Sequence, residues 1–169
     1  KYGASMDALV SQFAIGEIEH AVVRAFECEN PDIILVEGQS SVSHPAFMSS
    51  VGILKGSMPD GIILQHPPAR EFRCDFPNLA MPTLESEIQL IEAISQSQVI
   101  AIALSHENRT EDEIPSIVKD YESRLRLPTT DVLNYGCQKL IQTLCSYFPK
   151  LNQKIKRDRL ESVPVLAMR

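Results

Sequence analysis

The chain has 169 residues, of which 44% are hydrophobic, 22% charged and 6% aromatic, a composition that is typical of an ordinary globular domain. A chain of this length can bury a substantial core without disulfides, so general disorder is excluded. The formal net charge of −6 disfavours nucleic acid or an anionic membrane as the main partner. No apolar stretch is long enough to span a bilayer, and the first residues lack a signal-peptide pattern. We expect a cytoplasmic protein whose four cysteines are reduced thiols.

The hydrophobic pattern predicts helices that alternate with strands. Apolar residues at helical spacing predict one or two helices over 5–27, with a break at Gly16. Three short runs are apolar throughout, as in strands that are covered on both faces of a parallel sheet: 32–36, 61–65 and 99–104. Further helices are predicted at 46–55, 84–94, 113–125 and 135–148, with Thr83 as the N-cap of the second. This alternation predicts an α/β fold, a three-layer sandwich with a mainly parallel sheet.

Polar residues follow each of the three predicted strands. Ligands of open parallel sheets bind beyond the carboxyl ends of the strands, where these segments converge. The segments are 37–45, 66–71 and 105–109, and they bring three of the four histidines to one rim. We therefore expect the functional site at this rim.

Glu37 is the candidate metal ligand. A carboxylate at the end of a buried strand is costly unless it is compensated, and Mg²⁺ held with a substrate phosphate is one compensation. Hydrogen bonds from the residue's own turn are the alternative. Gly38 permits close approach of a ligand. Ser40, Ser41 and Ser43 could donate to an anion or cap the next helix.

His44 and His66 are candidates for general acid or base, because imidazole titrates near neutral pH. Each could equally be a hydrogen-bonded structural residue. A further alternative is a zinc site formed by His44, His66 and His106, although these residues lie on separate loops without short ligand spacing.

Three other charged features have both a functional and a structural interpretation. The planar fork of Arg70 suits a carboxylate or phosphate, or else an ion pair with Glu71 or Asp75. Glu17 follows Gly16 and belongs either to a site or to an exposed helix face. The basic stretch near 150–159 is either a solvated tail or an arm that binds phosphate or a partner.

Known nucleotide and nucleophile motifs are missing from the sequence. It contains no GxxxxGK[ST] phosphate loop, no GxGxxG and no GxSxG nucleophile elbow. A phosphate cradle for a nucleotide is therefore not part of the sequence as given.

Several segments taken together resemble the C-terminal portion of the D-glutamate N-acetyltransferase family, a P-loop domain of unknown function that is sometimes labelled an NAD-dependent epimerase. They are YGASMDALVSQFAIGEIEHAVV, EGQSSVSHPAF, HPPAR, ALSHEN and LPTTDVLNYGCQKL, which together cover about 1–146. The resemblance implies a P-loop NTPase-like fold of the dethiobiotin-synthetase-like branch, incomplete in this chain. Residues 1–149 would lack the phosphate loop and an upstream Rossmann-like domain, and 150–169 would be a basic extension.

The resemblance implies acetyl transfer from acetyl-CoA to the amino group of D-glutamate or a similar amino acid, with Mg²⁺ and a nucleotide as further candidate cofactors. It places Glu37 at the Mg²⁺ position and Asn108 near a base-recognition position. In our hypothesis His44 or His66 is the base, and Glu37 is the third catalytic candidate. The residues expected to bind substrate are Arg70, Gln39, Ser40, Ser41 and Glu17, and those expected to bind cofactor are Gly38 and Asn108.

The sequence departs from the family at Gln12, where an Asp usually stands, and this puts a carboxylate function there in doubt. Two other functions stay open. One is a Mg-ATP-dependent, ligase-like or kinase-like enzyme, and the other is a non-catalytic domain that has kept the fold. An incomplete sheet with an uncovered edge predicts a homo-oligomer or association with the missing N-terminal half.

Overall fold

A computed structural model describes residues 2–153. Its main sheet has three parallel strands in the order β1-β4-β5: β1 (Ile62–His66), β4 (Val99–Leu104) and β5 (Thr129–Thr130). A separate antiparallel hairpin joins β2 (Phe72–Arg73) to β3 (Phe76–Ala80). The helices are α1 (Ser11–Glu29), α2 (Ser49–Ser57), α3 (Leu84–Ser95), α4 (Ile114–Leu125), α5 (Val132–Tyr135) and α6 (Gln138–Tyr147), preceded by a 3₁₀ turn at Met6–Ala8.

Strand β4 lies at the centre of the core. Five of its six residues are buried, and Ala101 and Ile102 have no exposed surface. Leu84 and Ile91 of α3 belong to the same buried cluster as Ile102, and so does Ile114 of α4. Burial of one such side chain stabilises the fold by about 1.5–3 kcal/mol. The predicted α/β fold with a parallel sheet is confirmed.

The strongest sequence signals gave the most accurate elements. The strand predicted at 99–104 has the observed bounds, and the strand predicted at 61–65 is displaced by one residue. Thr83 caps α3 as predicted, because its hydroxyl oxygen accepts a hydrogen bond from the Ser86 N–H at 3.2 Å. Sequence periodicity does not predict β2 and β5, because each has only two residues. It also does not predict β3 (Phe76–Ala80), because all five of its residues are exposed and show no alternation.

The break predicted at Gly16 is wrong, because α1 runs through it from Ser11 to Glu29. A glycine weakens a helix only modestly, and packing can outweigh that loss. The apolar face of α1 packs on α2, with Ala14, Ile18 and Ala25 buried.

The strand predicted at 32–36 is also not observed. Segment 33–36 has no regular secondary structure and pairs with no strand among the described residues. Ile33, Leu35 and Val36 are 43%, 79% and 41% exposed. An apolar run favours a covered strand, but a strand forms only where a neighbour offers backbone hydrogen bonds.

Three further sequence expectations concern membrane-spanning helices, the cysteines and the basic stretch at 150–169. No helix within residues 2–153 has the length and apolarity needed to cross a membrane. All four cysteines are free thiols. Most of the basic extension predicted at 150–169 lies outside the described residues, which end at 153.

Two glycine substitutions test the packing of α1 on α2. A Cβ at Gly56 would lie 2.5 Å from the Ile15 carbonyl oxygen and 2.7 Å from the Ile18 Cβ. Because a backbone atom is involved, we expect Gly56→Ala to lower the free energy of unfolding by about 1–3 kcal/mol in urea denaturation. A Cβ at Gly16 meets nothing within 4 Å, so Gly16→Ala should raise stability by about 0.5–1 kcal/mol. Equal effects of the two substitutions would contradict this packing.

Candidate functional site

The segments that follow the strands meet at one large cavity. Its volume is about 1310 Å³, and its lining includes 33–42, β1, His44, His66 and Ser105. The Ser105 N–H donates to the His66 carbonyl at 3.0 Å, which continues the pairing of β1 with β4 past the strand ends. We call the polar end of this cavity the rim, defined as residues 37–44, 66–74 and 105. The first two segments meet at the cavity as the sequence predicts, and Glu107 of the third segment contacts Arg70. Only Ser105 of 105–109 lines the cavity, so the prediction that His106 shares this rim is wrong.

His66 has the chemistry of a proton acceptor. Its ring lies 5.8 Å from the Tyr121 ring, and its nitrogens have no hydrogen-bond partner among the described residues. Burial lowers the pKa of His66 below 6.5, and the positive charges of Arg124 and Arg70 lower it further, whereas Glu87 opposes the shift. The imidazole is therefore neutral at pH 7 and can accept a proton.

His44 is held in a structural position. Its Nδ1 accepts a hydrogen bond from the Ala46 N–H at 3.2 Å, so Nε2 carries the proton and donates to the Cys74 carbonyl at 3.2 Å. Its ring also stacks on Phe47 with centroids 4.6 Å apart. Because both nitrogens are engaged, His66 is better suited than His44 to act as a base.

Arg70 lines the cavity and forms an ion pair with Glu107, rather than with Glu71 or Asp75. Its Nε donates to Glu107 Oε1 at 3.4 Å, its Nη2 donates to Oε2, and its Nη1 lies 3.8 Å from Cys74 Sγ. The hydrogen bond to Glu107 is the main cause that raises the pKa of Arg70. Both side chains are about one-third exposed, so the pair contributes at most about 1 kcal/mol and a substrate carboxylate can compete for Arg70.

The turn after segment 33–36 supplies unpaired backbone donors. Glu37, Gly38, Gln39, Ser40 and Ser41 all line the cavity. The N–H groups of Gly38 and Ser41 make no hydrogen bond to other described residues. Ser40 has a positive φ of 61°. This backbone conformation is costly for a residue other than glycine, and it persists only where the surrounding structure holds the turn in place. Ser50 anchors this turn by donating to the Ser40 carbonyl at 3.1 Å.

The two candidate metals, Zn²⁺ and Mg²⁺, differ in the ligands that the cavity offers them. No group of three or more His, Cys, Asp and Glu residues within 2–153 is arranged to hold a metal ion. The three-histidine zinc alternative is therefore wrong, because His106 does not line the cavity that His44 and His66 share. For Mg²⁺ the rim offers the exposed carboxylate of Glu37, which would need a substrate phosphate to complete the coordination.

Three residues singled out in the sequence do not line the cavity. Glu17 lies on the exposed face of α1. Asn108 lies in an exposed turn after β4 with a φ of 55°. Gln12 is exposed in the first turn of α1, so its departure from the family pattern does not change the cavity wall.

A buried polar network that the sequence analysis missed holds the rim in place. Arg73 donates to the hydroxyls of Ser41 at 3.0 Å and Ser43 at 2.9 Å, and the Ser43 hydroxyl donates to the Glu87 carboxylate. Arg73 and Glu87 are only 9% and 6% exposed. The network ties the turn to hairpin β2–β3 and to α3. Its sequence signal is Glu87, which falls among the apolar positions Leu84 and Ile91 of the buried stripe.

A second missed pair stands at the end of β5. Asp131 is fully buried and accepts hydrogen bonds from the N–H groups of Leu133 and Asn134, which caps α5. The same carboxylate lies 2.5 Å from Nδ1 of His106 and fixes the orientation of that ring. His106 does not line the cavity.

The parallel sheet with flanking helices, and the polar rim at the carboxyl ends of its strands, define a P-loop-like α/β domain. The family model described as "Domain of unknown function (DUF1611_C) P-loop domain" matches residues 1–141. The chain therefore belongs to the DUF1611 family.

Relatives and a solved structure agree with this assignment. The chain is 25% identical over 150 residues to a D-glutamate N-acetyltransferase of Tritonibacter scottomollicae and 26% identical over 149 residues to one of a Pseudoalteromonas species. Each match covers 85% of this chain but only 44% of the relative. A crystal structure of a DUF1611 protein from Anabaena variabilis superposes with a TM-score of 0.79 at 27% identity, over 85% of this chain and 43% of that one.

The lowered pKa of His66 predicts a dependence of stability on pH. Below about pH 6.5 the unfolded chain binds a proton that the folded His66 resists, so this residue's contribution to stability falls as pH decreases. We expect His66→Gln to reduce the loss of stability between about pH 7 and pH 5.5, measured by urea denaturation. His20→Gln, on the exposed face of α1, is the matched control and should leave the slope unchanged. An unaltered slope in His66→Gln would show that the imidazole is not held neutral.

Proposed function

We propose that the chain contributes the residues that bind and deprotonate the acceptor amino acid of an amino-acid N-acetyltransferase. Such an enzyme transfers acetyl from acetyl-CoA to the amino group of D-glutamate or a similar amino acid. Its membership of the DUF1611 family and the names of the two bacterial relatives support the proposal. The observation that carries it is the half-buried His66, whose pKa is lowered and which shares one cavity with Gly38, Ser41 and Arg70. The ring nitrogens of His66 and the N–H groups of Gly38 and Ser41 have no hydrogen-bond partner within residues 2–153.

His66 would remove the proton that keeps the acceptor amine from reacting. An ammonium must lose a proton before its nitrogen can attack a thioester carbonyl, and a neutral imidazole is matched to that task. Acetyl-CoA, when bound, supplies the thioester. His66 passes this first proton to solvent and is neutral again. As the C–N bond forms and the C–S bond breaks, the nitrogen loses its second proton to His66, which passes it to the departing thiolate, so the products are the neutral amide, the free thiol and one released proton.

Two further groups of the rim fit the charges of the reaction. The N–H groups of Gly38 and Ser41 can donate to the oxygen that becomes negative in the tetrahedral intermediate. Arg70 can bind a substrate carboxylate in exchange for Glu107. Glu37, Gln39 and Ser40 line the same wall and stay candidates for substrate contacts.

A second candidate function is suggested by the family description itself, which names a P-loop domain. A Mg-ATP-dependent ligase or kinase would use the carboxylate of Glu37 for Mg²⁺. It would release phosphate without a requirement for acetyl-CoA, which separates it from the first candidate. A domain that has kept the fold without the chemistry would do neither.

An activity assay with His66 variants tests the proposal. Because the matched region is 44% of each relative, the chain is assayed joined to the upstream part of the Tritonibacter relative. Thiol release from acetyl-CoA is followed with D-glutamate and L-glutamate, with and without ATP and Mg²⁺. We expect acetyl transfer to D-glutamate, and His66→Asn should lower kcat by about 10²–10⁴-fold.

Arg70→Met should mainly raise KM for the amino acid, whereas His66→Asn should mainly lower kcat. His20→Gln provides the matched control and should keep full activity, because His20 is exposed on α1 away from the cavity. Full activity in His66→Asn would show that His66 is not the general base. Phosphate release in the absence of acetyl-CoA would favour the second candidate.

A further inference from the structure

The guanidinium of Arg70 has two edges that can each bind a carboxylate. Its N–H donors form a planar fork, with a side-on edge made by Nε and Nη2 and an end-on edge made by Nη1 and Nη2. Glu107 takes the side-on edge, because Nε donates to its Oε1 at 3.4 Å and Nη2 donates to its Oε2. On the end-on edge, Nη1 has only Cys74 Sγ as an acceptor within residues 2–153, at 3.8 Å. This edge is therefore open to a second carboxylate.

The two edges face different sides of the rim. Arg70 and Cys74 both line the cavity, whereas Glu107 does not. Because Nη1 lies beside Cys74, the end-on edge is the one on the cavity side, and the side-on edge faces the turn after β4 that carries Glu107. A ligand in the cavity therefore meets the end-on edge first.

The edges also differ in what a ligand has to displace. At the side-on edge a carboxylate must break two hydrogen bonds between charged groups, which are roughly twice as strong as those between neutral groups. At the end-on edge it displaces only the contact between Nη1 and the Cys74 thiol, and sulfur is a weak acceptor. Exchange with Glu107 is open to a carboxylate, but it is the costlier of the two routes to Arg70.

The turn that carries Glu107 is anchored on its far side. The Arg109 N–H donates to the His106 carbonyl at 2.9 Å and closes the turn. Nδ1 of His106 lies 2.5 Å from the carboxylate of Asp131, which is fully buried and also caps α5. Glu107 therefore projects from a fixed support, and the His106–Asp131 pair has a structural role in that support.

We infer that Glu107 is a positioning residue for Arg70: it holds the side-on edge, so that the end-on edge faces the cavity and binds a carboxylate of the acceptor amino acid. The identity of this ligand rests on the proposed function. Glu107 stays on Arg70 while the ligand is bound, so the guanidinium bridges two carboxylates. This bridging distinguishes positioning from exchange, in which Glu107 is a competitor that leaves.

Titration of the 169-residue chain with glutarate, followed by NMR, tests the inference without any turnover. Glutarate has two carboxylates like glutamate but no amine to acetylate. Glu107→Asp keeps the charge but is shorter by one methylene, so it cannot hold both donors of Arg70 in the same position. We expect this variant to raise the Kd for glutarate about 5–10-fold. Exchange predicts the opposite sign, because a weakened competitor lowers the Kd.

A double-mutant cycle tests whether Glu107 acts through Arg70. Arg70→Lys keeps the charge but lacks the planar fork, and it should raise the Kd for glutarate about 5–10-fold. In that background Glu107→Asp should change the Kd by less than about twofold, because no second edge is left to position. His20→Gln is the matched control and should bind as the unmodified chain does. Urea denaturation of each variant checks that it is folded.

Kinetics of the chain joined to the upstream part of the Tritonibacter relative give a second readout. Glu107→Asp should raise KM for D-glutamate about 5–10-fold and leave kcat within about twofold, because it changes binding and not the base.

Three results of the glutarate titration would overturn the inference. They are no binding to the unmodified chain, unchanged or tighter binding to Glu107→Asp, and an equal weakening by Glu107→Asp in the Arg70→Lys background. The expected glutarate results in a joined protein that transfers no acetyl group would instead support the positioning of Arg70 and contradict the acetyl-transfer proposal.

Discussion

The pairing of β1 with β4 is the constraint on which the rest of the structure depends. β4 is buried by helices, so its backbone groups must be satisfied by the neighbouring strands β1 and β5. The same ladder extends beyond the strands through Ser105 and His66. It therefore determines where the two segments leave the sheet, and with them the position of the rim.

The rim itself is held by charges rather than by the sheet. The turn at 37–44 belongs to neither of the described sheets, and it is fixed instead by Arg73 of β2 and Glu87 of α3 acting through serine hydroxyls. Buried charges are tolerated only where hydrogen bonds compensate their lost hydration. Ser43 contributes to this compensation for both, since it accepts from Arg73 and donates to Glu87, while Arg73 Nε is buried without a hydrogen-bond partner among the described residues. The network therefore positions the turn that supplies Gly38 and Ser41.

The sequence by itself determined the α/β class, the strands at 61–65 and 99–104, the cap at Thr83 and the convergence of segments 37–45 and 66–71, because these follow from local periodicity and from the geometry of parallel sheets. It could not determine that 33–36 pairs with no strand among residues 2–153, since pairing is a property of other segments. Nor could it tell that His44 is fully hydrogen-bonded while His66 is not, or that Arg70 pairs with Glu107. Only the tertiary structure decided these contacts, because a hydrogen bond or an ion pair depends on distances between residues that are far apart in the chain.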